Sequence, residues 1–498
     1  MQDFDEFFIG GQWQPAASAT DRIEVVSPAS LEVVGSVPRA TKDDGDRAVG
    51  AARAAFDSGP WPGLAVAERL AILRAFADAI EARTDQFADV LCAEQGLPRH
   101  SLPVGQISKA VSTLRAGADI ADGYPWSDTR HGTGRRTLRV LRVPVGVVVA
   151  IVPWNAPLFV AAMKLAPALA AGNTVVLKPP PETPLHTYLL AEAAIEAGVP
   201  AGVLNILPAG ADISELLVRD PRVDKVSFTG STAVGRLVGA ICGESLKRCT
   251  LELGGKSAAV VLDDFELTDR SARMLVTGAM VNAGQVCAAQ TRILVPADRH
   301  DEIVEAMSEA TRALRVGDPT SATTDIGPLI SGRQRDRVER YIRLGVEEGA
   351  TLVTGGGRPA IEPGWYVQPT LFADVDNAMT IAREEIFGPV AAVIPYHDEA
   401  EAIALANDSE YGLAGAVWTA DLGRGEAVAA RIRTGSVAVN SPGPLDAYGP
   451  FGGFKNSGLG REGGTEALDD YTECQTIILP PQANILPPQA NPLPPQAN

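Results

Sequence analysis

The chain has 498 residues, of which 46% are hydrophobic and 21% are charged, a composition typical of soluble globular enzymes. One hydrophobic core rarely serves a chain of this length, so we expect two or more domains. The net charge of −18 disfavours nucleic acid and anionic membranes as partners. The acidic N-terminus lacks a signal-peptide core and no run suggests a membrane span, so we expect a cytoplasmic location.

The first 120 residues combine short strands with longer helices. Apolar residues bounded by turns predict strands over 8–13, 23–26 and 32–37. Apolar residues at helical spacing predict two helices, over 44–56 and 65–95. These helices are expected to cover a sheet.

From residue 138 onwards, strands and helices alternate. Strands are predicted over 138–144, 147–152, 174–178, 203–207 and 225–228, with helices over 185–197 and after Ser231. A second unit begins near Gly254, with strands over 258–262, 291–295, 390–395 and 414–418 and helices over 270–282, 302–314 and 332–349. This alternation indicates an α/β fold with doubly wound, mostly parallel sheets.

Cysteine and histidine are scattered along the chain. The five cysteines are odd in number and form no CxxC pair, and the five histidines show no ligand spacing. We therefore expect a reducing compartment, no disulfide framework and no metal.

One cysteine, Cys287, has neighbours that suit a nucleophile. It follows a Gly-Gln turn and precedes two alanines, which leaves its sulfur accessible. The thiolate is the attacking species in thiol catalysis, so such a site must favour it. A lone cysteine is by itself more often an inert core residue, so Cys287 needs support from other motifs.

Three further motifs accompany the segment Asn282–Arg292 that contains Cys287. They are Pro153–Pro157 and Leu251–Lys256 upstream and Glu384–Pro389 downstream. In this order and spacing the four motifs resemble the aldehyde dehydrogenase superfamily, over about Phe8 to Leu479. The GxGxxG-like run 458–463 follows no buried strand, so we interpret it as a loop.

The resemblance implies a fold of two doubly wound α/β domains and a small bridging sheet. Residues 1–120 and 145–253 would form a Rossmann-like cofactor domain and 254–464 the catalytic domain. Residues 121–144 and 465–480 would form the bridging segments. A partner subunit would cover their open strand edges, which implies a homodimer or homotetramer.

The resemblance also implies a catalytic set. Cys287 would attack an aldehyde to give a thiohemiacetal, and Asn155 with the Cys287 backbone N–H would stabilise the oxyanion. Hydride transfer to nicotinamide would leave a thioester, and Glu252 would activate the water that hydrolyses it. Apolar neighbours should raise the Glu252 pKa towards that of a useful base. The resemblance implies that Lys164 is a further catalytic residue.

The cofactor site implied by the resemblance uses several separate segments. Its candidate residues are Lys178 and Pro181 near the adenosine ribose, Gly230 and Ser231 at a helix start suited to phosphate, and Trp154, Glu385 and Phe387 near the nicotinamide. Many family members carry a glutamate where this chain has Pro181. We favour NAD because no Arg or Lys neighbours Lys178, while NADP or dual use stays open.

The substrate pocket departs from the family pattern. Ala156, Met163 and Leu445 replace aromatic residues that are frequent there, while Phe451 remains aromatic. Smaller and more flexible side chains predict a wide apolar channel, suited to long-chain, terpenoid or aromatic aldehydes.

The sequence leaves two alternatives to a hydrolytic dehydrogenase. A coenzyme A-acylating semialdehyde dehydrogenase is disfavoured because such family members tend to lack a glutamate at the position of Glu252. A non-catalytic structural or binding relative would require loss of Cys287, Glu252 or Asn155, and all three are present.

The C-terminus is a proline-rich repeat. The seven residues 478–484 recur as 485–491 and, with Pro492 in place of isoleucine, as 492–498. Pro-Pro pairs favour an extended polyproline II segment. A flexible appendage and an extension docked on its own or a neighbouring subunit are both open.

Overall fold

The computed structural model describes residues 2–18, 20–443 and 445–480. The tail 481–498, for which two interpretations were open, lies outside these residues. The helices are α1 (Lys42–Ser58), α2 (Val66–Glu81), α3 (Thr84–Gln95), α4 (Ser108–Asp122), α5 (Pro157–Ala171), α6 (His186–Glu196), α7 (Ala211–Arg219), α8 (Thr232–Glu244), α9 (Asp269–Met280), α10 (His300–Arg312), α11 (Gly332–Glu347), α12 (Thr380–Arg383), α13 (Glu399–Asn407), α14 (Leu422–Ala429) and α15 (Gly464–Asp470).

The strands are β1 (Gln2–Asp3), β2 (Glu6–Ile9), β3 (Gln12–Pro15), β4 (Arg22–Val26), β5 (Val33–Pro38), β6 (Ser127–His131), β7 (Thr137–Pro144), β8 (Val147–Ile151), β9 (Thr174–Lys178), β10 (Leu204–Ile206), β11 (Lys225–Thr229), β12 (Arg248–Glu252), β13 (Ala258–Val261), β14 (Arg292–Pro296), β15 (Thr351–Thr354), β16 (Thr370–Ala373), β17 (Val390–Tyr396), β18 (Ala414–Trp418), β19 (Ser436–Val439), β20 (Gly458–Leu459) and β21 (Thr472–Leu479).

The larger sheet has the order β20-β12-β11-β8-β9-β10-β2-β3 within the described residues. Strands β12 to β10 are parallel to one another, and β20, β2 and β3 join antiparallel at the edges. All five residues of β8 are buried, with Val148 and Ala150 in one core and Val147 and Val149 in another. Burial on both faces explains why this strand is continuously apolar.

The second sheet has the order β15-β16-β17-β14-β13-β18-β19 in the described part of the chain. Only the β15 edge is antiparallel there. A small sheet, β21-β7-β6, joins two distant segments, because β21 pairs with β7 from Thr472↔Pro144 to Leu479↔Thr137. The predicted α/β fold class, with two parallel-sheet units and a small bridging sheet, is confirmed.

Three local predictions differ from the structure. The strand predicted over 8–13 is a hairpin of β2 and β3, because Gly10 and Gly11 adopt positive φ values of 66° and 79° and reverse the chain. The helix predicted over 65–95 is two helices, α2 and α3. Helix α5 was not predicted, since every side chain except Lys164 is apolar and the sequence gives no amphipathic period.

Candidate active site

The loop before Cys287 has an unusual backbone. Asn282, Ala283 and Gly284 follow one another with φ values of 56°, 53° and 70°. At Gly284 a Cβ atom would lie 1.9 Å from the carbonyl oxygen of Gly388, so only glycine fits there. The cysteine loop is thereby packed directly against the segment that carries Glu385 and Phe387.

Hydrogen bonds join Asn155 to the same loop. The Asn155 side-chain Nδ2 donates to the carbonyl oxygen of Gln285 at 2.9 Å, and Asn282 Nδ2 donates to the Asn155 carbonyl at 2.8 Å. Gln95 Nε2 also donates to that carbonyl. Asn155 is only 7% exposed, so these contacts hold its amide in one orientation beside the cysteine loop.

The Cys287 thiol lies in an environment that disfavours its charge. Burial raises the pKa of Cys287 to about 12, and the charges of Glu385 and Glu252 add to this effect. The backbone N–H groups of Ala288 and Cys287 act in the opposite direction. Both predicted carboxylates therefore lie close enough to influence the sulfur, although they are 133 residues apart in sequence (385 − 252).

Glu252 ends β12 and points its carboxyl group into the protein. It is 3% exposed, and both side-chain oxygens lack a hydrogen-bond partner among the described residues. Burial and then the charge of Glu462 raise the Glu252 pKa well above its ordinary value, while Lys164 opposes the shift. The direction agrees with the expectation from its apolar neighbours.

A buried ion pair acts electrostatically on Glu252. Lys164 Nζ donates to Glu462 Oε1 at 2.5 Å and to Ser227 Oγ at 3.0 Å, and both charged side chains are at most 1% exposed. Sequence analysis singled out Lys164 but missed Glu462. The sequence predicts a loop over 458–463, yet Gly458–Leu459 is an edge strand against β12, and Glu462 pairs with Phe451 and is buried. A glutamate in a glycine-rich run gives no sign of burial.

Glu385 lies over the two glycines that follow Glu252. Its Oε1 accepts a hydrogen bond from Gly255 N at 3.0 Å, and a Cβ at Gly254 would lie 2.4 Å from its Oε2. Burial raises the pKa of Glu385 to about 7. Phe387 has a φ of 60°, and its ring meets that of Trp154 edge-on at a centroid distance of 5.4 Å.

The remaining candidate cofactor residues lie at or just after the carboxyl ends of β11 and β9, the two strands that flank β8. Gly230 follows β11 and donates its N–H to the Glu252 carbonyl at 3.0 Å, and Ser231 Oγ caps α8 by accepting from Val234 N at 3.4 Å. Lys178 ends β9, and burial lowers its pKa to about 8. Pro181 lies in the loop after β9. Free N–H groups at a helix start and a strand-end lysine fit a dinucleotide.

An apolar cluster lies beside the thiol. We call Met163, Ala288, Leu413, Ala414 and Phe451, all buried, the thiol cluster, and Cys287, Leu445, Phe159 and Val286 pack against it. Sequence analysis missed Phe159 and Val286, which nothing in the local pattern distinguished from ordinary core residues. Ala156 packs against a larger core and is not among the residues of the thiol cluster or those packed against it, whereas Phe159 packs against both.

The described residues contain neither a candidate membrane span nor a candidate metal cluster. No helix within the described residues combines the length and apolar character needed to cross a membrane. Across residues 2–18, 20–443 and 445–480, no group of three or more His, Cys, Asp or Glu side chains is arranged to hold a metal ion. The five cysteines are all free thiols.

Comparison with known proteins covers nearly the whole chain. Residues 13–477 match the model of the aldehyde dehydrogenase family. A geranial dehydrogenase of Castellaniella defragrans is 47% identical over 96% of this chain and 99% of its own. The crystal structure of a Mycobacterium tuberculosis aldehyde dehydrogenase complexed with NAD+ has a TM-score of 0.94 at 49% identity, over 97% of this chain and 100% of that one.

A further solved structure contains an aldehyde. It is a Pseudomonas syringae aldehyde dehydrogenase mutant complexed with NAD+ and octanal, with a TM-score of 0.92 at 38% identity, over 97% of this chain and 98% of that one. Matches of this extent and identity, together with the four motifs, leave one conclusion. The chain belongs to the aldehyde dehydrogenase family.

Proposed function

We propose that the protein oxidises apolar aldehydes to carboxylic acids with NAD, through a thioester on Cys287. The observation that carries this proposal is the thiol cluster, which places an apolar surface against the sulfur. Asn155 is held at the cysteine loop by its bond to Gln285, and Glu252 acts electrostatically on the thiol. A carbonyl carbon at the sulfur would thus meet a donor and a base, with its apolar chain on the cluster.

The first half of the reaction is assigned to Cys287 and Asn155. The Cys287 thiolate forms a bond to the carbonyl carbon, and the C=O bond pair moves to the oxygen. Asn155 Nδ2 and the Cys287 backbone N–H donate to that oxyanion, and such donors lower the barrier because charge develops there. The thiol pKa of about 12 leaves little thiolate at neutral pH, so the first half should accelerate as pH rises.

The second half is assigned to Glu252. Its carboxylate takes a proton from water as the water oxygen attacks the thioester carbon, and the C–S bond then breaks to release the acid and the thiolate. The buried Lys164–Glu462 pair acts electrostatically on Glu252 and is assigned to the onward transfer of that proton. Because its pKa is raised, the Glu252 carboxylate can take a proton from the attacking water and hold it until it is passed on.

The proposed cofactor is NAD. When bound, it supplies the acceptor for the hydride of the thiohemiacetal. Lys178 and the N-terminus of α8 at Ser231 would hold its ribose and phosphates, and Glu385 and Phe387 its nicotinamide half. Support comes from the two similar structures solved with NAD+.

An aldehyde panel tests the proposed substrate class. With purified protein and NAD, formation of reduced cofactor should show higher kcat/KM for octanal and geranial than for acetaldehyde. The relatives named for geranial and crystallised with octanal support this order. A highest kcat/KM for acetaldehyde would contradict it.

Narrowing the channel should reverse part of that preference. In Ala156→Phe a large ring would compete with substrate for space in the proposed channel. We expect kcat/KM for octanal to fall about tenfold, while that for acetaldehyde changes little. Ala156→Ser, which keeps the volume small, is the matched control and should behave like the parent. Equal losses for both aldehydes would indicate general damage instead.

Pro181 provides a test of cofactor choice. A carboxylate there would attract the adenosine ribose hydroxyl and repel a 2′-phosphate, so Pro181→Glu should lower kcat/KM with NADP about tenfold. The kcat/KM with NAD should stay equal or rise in Pro181→Glu. Pro181→Ala should leave the ratio of kcat/KM with NAD to kcat/KM with NADP unchanged. A parent enzyme that strongly prefers NADP would overturn the choice of NAD.

Assembly, domain division and location complete the proposal. We propose a homodimer or homotetramer, because the bridging strand β21 exposes Ile477 and Ile478, which are 39% and 59% accessible. The cofactor domain would comprise 1–120 and 145–253, and the catalytic domain 254–464. Five free thiols support a cytoplasmic location. Light scattering measures the assembly, and a monomer would contradict it.

A further inference from the structure

Tyr448 is an exposed aromatic residue with a long-range partner. Its ring is 61% accessible, yet its hydroxyl donates to Asp119 Oδ2 at 3.1 Å, across 329 residues of sequence. The other carboxylate oxygen of Asp119, on α4, accepts from Arg74 Nη2 on α2 at 3.0 Å. This chain of contacts ties the segment around Tyr448 to two helices of the other sheet unit.

The segment that Tyr448 anchors carries a wall of the proposed substrate pocket. Leu445 packs against the thiol cluster, and Tyr448 N donates to Asp446 Oδ1 at 2.9 Å in the turn that follows. On the far side, Phe451 and Glu462 exchange backbone hydrogen bonds of 2.6 and 2.7 Å. Residues 445–451 are therefore held at Phe451 by the backbone and at Tyr448 by one side-chain bond.

We propose that Tyr448 is a positioning residue that determines substrate specificity: its hydrogen bond to Asp119 keeps Leu445 against the thiol cluster. The inference rests on the proposed function, since it concerns the apolar wall of that same site. Tyr448 acts through Leu445 and touches no reacting atom. Because Tyr448 is exposed, its phenol gains little free energy from burial. The bond to Asp119 is therefore its main contact with the rest of the protein.

The effect should depend on the length of the aldehyde. Leu445 adds apolar surface to the thiol cluster, and an eight-carbon aldehyde can bury more of its chain on that surface than a two-carbon aldehyde can. Releasing the segment lets Leu445 leave the cluster and removes apolar contact from the long substrate alone. The chemistry at Cys287 and Asn155 is unaffected, because neither belongs to the released segment.

The experiment compares octanal with acetaldehyde at saturating NAD. Tyr448→Phe should raise KM for octanal about threefold, as expected for loss of one exposed charge-assisted bond. Its kcat with octanal, its KM for acetaldehyde and its melting temperature should match the parent. Asp119→Ala should reproduce this pattern with no further change in the double variant. Asp119→Asn, which keeps an acceptor for the Tyr448 hydroxyl, should have the parental KM for octanal. Arg74→Ala, which leaves the Tyr448–Asp119 bond in place, should also have the parental KM.

An unchanged KM for octanal in Tyr448→Phe would overturn the inference, and so would equal rises in KM for both aldehydes. Additive effects of Tyr448→Phe and Asp119→Ala would also overturn it, because the two side chains would then act separately. Failure of the proposed function would give a different result. The parent would then show no aldehyde oxidation, or an oxidation that persists in Cys287→Ala. If the parent is fully active and Tyr448→Phe leaves the KM for octanal unchanged, only the inference about Tyr448 is contradicted.

Discussion

Replacing Cys287 with alanine should lower kcat/KM for octanal by at least about 10⁴-fold, because no other group can form the covalent bond to the carbonyl carbon. The fold should survive, since the change removes one sulfur atom from the edge of the thiol cluster and adds no volume. Initial rates of cofactor reduction measure the loss, and binding of NAD by calorimetry checks that the cofactor site is intact.

Cys474→Ala is the matched control, because Cys474 is an exposed thiol on β21, outside the candidate site. It should keep parental activity. Iodoacetamide should inactivate the parent by labelling Cys287, which mass spectrometry of the digested protein locates, and octanal should slow the labelling. A Cys287→Ala variant that oxidises octanal at the parental rate would remove the basis of the mechanism.

Replacing Glu252 with glutamine should lower steady-state kcat about 10³-fold, because the amide keeps the size of the side chain but cannot accept the proton of water. Thioester formation does not need that base, so a burst of reduced cofactor equal to the enzyme sites should remain. Loss of the Glu252 charge also removes one of the influences that raise the Cys287 pKa. Intact-protein mass spectrometry should then detect the acyl-enzyme.

The pH dependence of kcat should separate the parent from this variant. Burial raises the pKa of Glu252 well above its ordinary value, so the proton-accepting carboxylate becomes more abundant as pH rises through that higher pKa. Parental kcat should therefore increase with pH where deacylation limits the rate, and Glu252→Gln should lack this limb. Glu244→Gln, at an exposed position on α8, is the control. A Glu252→Gln variant with no burst and no acyl-enzyme would contradict the assignment.

Much of the fold could be read from local sequence. Strands such as β8 and β9 are short runs rich in β-branched residues, and helices such as α9 and α10 carry a clear apolar period, so the α/β class followed from short-range patterns. The exceptions have local causes. Helix α5 is apolar at every position except Lys164 and lacks an amphipathic period, and the Gly10–Gly11 turn divides an apolar stretch into a hairpin.

The candidate site residues were predicted from four motifs that resemble the aldehyde dehydrogenase family, because each motif concentrates its signal in a few neighbouring residues, and their roles stay predictions. A cysteine among small residues and a glutamate between leucines specify a thiol and a desolvated carboxyl group without any tertiary information. Only the tertiary structure decided which distant groups surround them. Asn155 bonds to Gln285 across 130 residues, and Lys164 meets Glu462 across 298. Such pairs leave no periodic trace, because a buried ion pair depends on where two elements pack and not on the residues beside each charge.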